Sequence, residues 1–190
     1  MLDIVTLPSI EAGDTWDEIS LANRLSKLIN DVYAVAEDGL WVDGASRTSV
    51  EGVADLMRAG QISVALVGGE IVGCVRVQLL GSGVGEFGML AVDEGHRSAG
   101  VGRNLVRFAE QTARDGRCES MQLEVLVPRG WSHPSKEFLI DWYTRLGYAQ
   151  VRIGAIEKAY PELAPFLATP CDLMIYRKDL WSGQRQPGTP

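Results

Sequence analysis

Residues 97–103, Arg-Ser-Ala-Gly-Val-Gly-Arg, set two cations around a glycine-spaced segment that opens a helix, and the chemistry this serves is the holding of an anion. The strand-like run ending Leu90-Ala91-Val92 stops at Asp93-Glu94-Gly95, and from position 101 to 113 the apolar residues recur at helical spacing. The first amides of a helix have no partner inside it, and the positive end of its dipole lies there. Gly100 and Gly102 remove the Cβ atoms that would hold a bulky phosphate off the backbone. Arg97 and Arg103 add cationic donors, which suits two phosphates. The segment therefore points to a pyrophosphate-bearing ligand. A second group with chemical potential is Glu124 in Leu-Glu-Val-Leu-Val, a carboxylate that must face a cleft or find a partner because both its neighbours are apolar.

The elements that position these groups are legible from periodicity. Ile19, Ala22, Leu25, Ile29, Val32 and Ala36 predict a helix over about 15–37. Thr48 with Glu51 reads as a capping box opening a second helix that ends near Gly60. Residues 62–67 and 71–80 read as strands joined by the Gly68-Gly69 turn, and 86–92 as the strand before the anion loop. A third helix covers 100–115, stopped by Gly116, and 119–127 form the next strand. A fourth helix over 134–146 closes at Gly147, and strands over 148–156 and 171–176 follow, parted by a proline-punctuated loop. Strand, loop, helix and strand across 86–127 make a βαβ crossover, so that pair is parallel while the hairpin-linked strands make the rest antiparallel. The glycines Gly81-x-Gly83-x-Gly85 lead into a strand rather than a helix, which excludes a dinucleotide fingerprint and favours a mobile hairpin or a bulge.

With 190 residues, 46% of them apolar, the chain suits one domain with a buried core over 1–180 and a frayed polar tail over 181–190. A net charge of −7 argues against a nucleic-acid partner. No apolar run reaches the roughly 20 residues of a membrane span. Without a visible secretory signal, and with Cys74, Cys118 and Cys171 at no metal-ligand spacing, the expectations are a cytoplasmic protein, reduced packing thiols and no metal. Positions 11–60 hold ten acids against four bases, whereas 97–117 are rich in arginine, an acidic and a basic pole for two different partners.

A strand ending Leu-Ala-Val, then Arg-x-x-Gly-x-Gly opening a helix, then Trp142-Tyr143-Thr144-Arg145-Leu146-Gly147-Tyr148 occur here in that order. The combination resembles the GNAT-type N-acetyltransferases, whose acyl-CoA loop has the form (Gln/Arg)-x-x-Gly-x-(Gly/Ala) and whose later helix ends in an aromatic-Tyr-x-x-Leu-Gly-aromatic pattern. The resemblance spans about 62–180. It implies a single-domain α/β fold: a mixed, mostly antiparallel sheet with a splayed parallel strand pair and about four helices.

It further implies that Arg97, Ser98, Ala99, Gly100, Val101, Gly102 and Arg103 wrap the pyrophosphate of acetyl-CoA, the acyl-donor co-substrate, while Leu90, Ala91 and Val92 meet the pantetheine arm as an added strand would. The catalytic residues it implies are Glu86 as general base and Tyr143 as the acid that reprotonates the thiolate. Glu124 and bound water compete with Glu86. The helix carrying Tyr143 is expected to pack through Phe138, Leu139, Trp142 and Leu146, with Trp142 in the core. The oxyanion falls to a backbone N–H near Leu90.

Where many members keep Asn about seven residues before the tyrosine, this chain has Lys136, either a phosphate ligand or a solvated residue. His133, held extended by the following proline, is a structural, solvent-facing or acceptor-site residue, and His96 a turn residue. The implied reaction moves an acetyl group to a primary amine of a small molecule or protein, by direct attack in a ternary complex, in a monomer or homodimer. The acidic first segment would flank the acceptor and favour a cationic one. An acyl-CoA-binding regulatory or structural protein, or a transferase for a longer acyl group, are the alternatives.

Overall fold

The computed structural model describes residues 1–7 and 17–181. Through them runs a seven-stranded sheet of β1 (Leu2–Thr6), β2 (Ile62–Val67), β3 (Glu70–Leu80), β4 (Val84–Val92), β5 (Ser120–Pro128), β6 (Ala149–Gly154) and β7 (Cys171–Asp179), in the spatial order β1-β2-β3-β4-β5-β7-β6. All neighbours are antiparallel except β4 and β5, which the helix α3 (Val101–Asp115) joins as a crossover. Two further helices, α1 (Glu18–Ala36) and α2 (Val50–Arg58), bury Leu21, Leu25, Ile29, Val53 and Met57 with Ile62, Val64 and Cys74. On the opposite face, α3 and α4 (Pro134–Arg145) enclose a second core around Leu105, Val106, Phe87, Met121 and Tyr148.

The local chemistry accounts for most boundaries. Asp17 caps α1 by accepting from the Ser20 N–H at 2.9 Å. The cap of α2 is Ser49, accepting from Gly52 N–H at 3.0 Å, rather than Thr48 as the capping box predicted. Thr48 is held differently: its N–H and C=O bond the two ends of the Asn30 amide at 3.1 and 3.0 Å, pinning the α1–α2 connection to α1. Gly81 to Gly83 form the tight turn between β3 and β4, with Ser82 and Gly83 both at positive φ. Gly85 has a separate reason, since a Cβ there would lie 2.8 Å from the Ala113 Cβ of α3.

Three elements differ from expectation. The short terminal strand β1 pairs with β2, the strand expected over 148–156 ends at Gly154, and a single helical turn, α5 (Ile156–Ala159), follows it. Of the segment expected to fray, 182–190 lie outside the described residues; Trp181 is anchored, its indole N–H donating to the Cys118 carbonyl at 2.8 Å. Among the described residues no helix is long and apolar enough to cross a membrane.

Candidate active site

The sheet opens where β4 and β5 part. They pair only at Val84–Ser120, Gly85–Met121 and Glu86–Gln122. Beyond that point β4 bulges against β3: Arg76 faces Gly88 and Cys74 faces Ala91, so β4 spends one extra residue, and Met89 takes φ 48°. The bulge reverses the strand's alternation. Phe87 belongs to the α3 side, Met89 and Ala91 to the α1 side, and Leu90 and Val92 return to the α3 side. The resulting V is the mouth of a cavity of about 1240 Å³.

One wall of this cavity is the loop after β4. A 3₁₀ turn, Glu94–His96, is closed by His96 Nδ1 against Asp93 Oδ2 at 2.9 Å, so His96 is the turn residue expected. Then Arg97 is extended, Ser98 has φ 68°, and Gly100, with φ 81°, precedes the first residue of α3. Alternating left-handed residues turn successive amides toward one side. Only glycine holds the Gly100 conformation without strain. Arg97, Ser98, Gly100, Val101, Gly102 and Arg103 line the cavity, with Leu90 and Val92 beside them. Ala99 is exposed outside it, and the Ala91 side chain is fully buried against α1 and α2.

Two carboxylates line the same cavity. Glu86 accepts from Gln122 Nε2 at 2.9 Å and lies 3.6 Å from the Arg76 guanidinium. Glu124, two residues beyond Gln122 on the same face of β5, accepts from the Tyr160 hydroxyl at 2.7 Å. Burial raises its pKa, with the nearby Glu86 charge adding to the effect, against the pull of the Tyr160 hydrogen bond and of Arg152 and Arg47. Tyr143 also lines the cavity, its ring against Trp142 at 4.9 Å and Phe87 at 5.9 Å. Burial drives the phenol's pKa upward, and its hydroxyl has no hydrogen-bond partner among the described residues.

Other expectations need correction. Phe138 is 62% exposed at the cavity rim, whereas Leu139, Trp142 and Leu146 pack against the core as expected, joined by Ile140 and by the buried Lys136 and Tyr143. Trp142 is only partly buried at the core's edge, where it lines the cavity. Lys136 is neither solvated nor free for a phosphate. It is 3% exposed and bonds Glu37 Oε1 at 2.7 Å, while Trp41 donates to Glu37 Oε2 at 2.7 Å. Burial works against the Glu37 charge, yet Lys136 and Arg47 hold its pKa below the usual carboxylate value. His133 is structural: it stacks on Trp131, and its Nε2 donates to the Asp38 carbonyl at 3.1 Å. Of the acids in the first segment, only Glu37 lines the cavity among the described residues; Arg47 lines it too.

Arg47 and Tyr160 are the site residues that sequence reasoning passed over. Arg47 sits between two helices with no motif around it, and Tyr160 lies in a loop whose position only the β6–β7 return determines.

The profile of the acetyltransferase (GNAT) family matches residues 28–148. An acetyltransferase of that family from Staphylococcus aureus Mu50 is similar in structure, with a TM-score of 0.66 at 14% identity over 95% of this chain and 99% of that one. An aminoglycoside 6'-N-acetyltransferase complexed with coenzyme A gives 0.65 at 16% identity, over 98% and 99%. The ribosomal-protein-S18-alanine N-acetyltransferase of Escherichia coli gives 0.61 at 15% identity, over 95% and 94%. No curated protein matches by sequence.

Proposed function

Because the chain belongs to the acetyltransferase (GNAT) family and is an acyltransferase, we propose that it moves an acetyl group from acetyl-CoA directly to a primary amine in the opening between β4 and β5. The loop 97–103 takes the pyrophosphate, and the backbone of Leu90 to Val92 takes the pantetheine arm in the place that β5 leaves open. The acceptor ammonium gives a proton to Glu86 or Glu124, directly or through water. The neutral amine attacks the thioester carbonyl carbon, and the oxyanion is met by a backbone N–H beside the bulge at Leu90. Collapse breaks the carbon–sulfur bond, Tyr143 gives its proton to the departing thiolate, and the second proton of the acceptor nitrogen, shed as the amide forms, restores the phenol through water.

The observation that carries this reading is that Glu86, Tyr143 and the anion loop line a single cavity. Direct transfer is supported by the thiols, since Cys74, Cys118 and Cys171 are all buried and none lines that cavity. Burial pushes the Cys74 pKa up to about 12, which suits packing rather than nucleophilic work. The acceptor class is open between a small molecule and a protein amine, as the aminoglycoside and ribosomal-protein enzymes illustrate. An amine panel followed by CoA release tests the proposal. Turnover of at least one amine is expected; tight CoA binding with no turnover across the panel would mark a ligand-binding protein without chemistry.

A further inference from the structure

The charges that line the cavity away from the anion loop pair off unevenly. Lys136 takes Glu37, and Arg76 lies against Glu86. Among those charges that are at least half-buried, two of opposite sign remain without an ion-pair partner among the described residues: Arg47 and Glu124. Both oxygens of Glu37, the carboxylate whose charge acts most strongly on Arg47, are already committed to Lys136 and Trp41. The guanidinium of Arg47 lies over the Tyr33 ring at 5.2 Å and near the Trp41 ring at 5.9 Å, and its Nε is buried with no hydrogen-bond partner. A cation held this way, with a donor left unspent beside a cavity, is built to receive an anion.

Glu124 offers the complement. Its single hydrogen bond from Tyr160 leaves acceptor capacity toward the same cavity, and its charge and that of Arg47 influence each other's ionisation. Arg152 acts on Glu124 from an exposed position on β6, and Glu162 lines the cavity at an exposed position. Neither cancels the pair.

We propose that the acceptor is a zwitterion of the α-amino-acid class, its carboxylate received by the Arg47 fork and its ammonium turned toward Glu124. The proposal rests on the transferase reading above and narrows it, replacing the cationic acceptor expected from the acidic first segment with one that carries both signs.

The purified full-length chain is assayed for CoA release with the common L-amino acids, their C-terminal amides and the matching decarboxylated amines. At least one free acid should exceed its amide by about tenfold or more in kcat/KM, the difference a charge-assisted bidentate contact makes. Arg47→Gln should bring that ratio close to one while acetyl-CoA still protects the protein against heating. Should Arg47→Gln fail to fold, Arg47→Met removes the charge and keeps an apolar stem against Tyr33 and Trp41. Equal use of acids and amides by the unaltered protein, or a ratio unchanged by either variant, overturns the proposal. Turnover confined to carboxylate-free amines also overturns it and leaves the transferase reading standing. If nothing turns over, the same acids and amides are titrated into CoA-loaded protein: an Arg47-dependent thermal shift with acids alone upholds the zwitterion site and defeats the transferase reading, and no shift defeats both.

Discussion

Burial governs how Tyr143 and Glu124 can serve the reaction, because both sit where the charged form is costly. A phenol whose pKa is driven upward stays protonated throughout the working range, so Tyr143 enters the reaction as a donor and not as a base. Tyr143→Phe should lower kcat by about 100-fold, the lower end for a general acid, with acetyl-CoA protection against heating retained. Unchanged kcat would make Tyr143 a packing residue. Glu124 makes its own prediction. Its folded pKa is raised above the ordinary 4.5, so its favourable share of stability is complete below that value and is lost as pH rises through the raised one. Glu124→Gln should therefore raise Tm at pH 8 and change it little at pH 4; a gain independent of pH would mean that the carboxylate's charge is not the cause. Glu86 was legible because a motif stood at the other end of its strand. Arg47 was not, since its significance comes from the rings and the cavity it meets, not from its neighbours in sequence.

Among the elements, strand, loop and α3 were readable because each is set by local chemistry: an apolar run, glycines at the turn, a helical stripe. Gly100→Val tests the most demanding of these positions. With φ at 81° a β-branched residue is strained by roughly 1–3 kcal/mol, and the amides of the loop must move to relieve it. Acetyl-CoA should then no longer protect against heating, and undiminished protection would overturn the loop's assignment. The bulge in β4 gave no such signal. Met89 is an unremarkable strand residue, and its positive φ is imposed by the register with β3 across the sheet. The one-residue error at the start of α2 has a similar origin: both Thr48 and Ser49 can cap, and the hydrogen bonds to Asn30, 18 positions away from Thr48, decide between them.

At the scale of the molecule, the end of α1 is tied to the start of α4 by a buried ion pair between residues 99 positions apart, and by the His133 bond to Asp38 beside it. Lys136→Met strands the Glu37 charge in the interior and should cost about 3–5 kcal/mol in a denaturant titration. Adding Glu37→Gln should recover much of that, because the penalty lies in the unpaired charge rather than in lost packing. Full additivity of the two losses would show that the pair is not coupled. No periodicity announces such a contact, which is why Lys136 read as a surface residue.

The parting of β4 from β5 has a consequence for how the protein behaves when its ligand is absent. From Phe87 and from Leu123 onward, each strand has one side of its backbone without a strand partner, so the sheet contains two inward-turned edges. Edges of this kind invite pairing with foreign strands and exchange their amide protons readily. A coenzyme arm lying against β4 would close one of them as an eighth strand closes a barrel. Amides of 88–92 should therefore exchange with deuterium markedly more slowly once acetyl-CoA is added, while those of β2 stay as they were. The same strand segment would then set the protein's shelf life: solutions starved of coenzyme should cloud first.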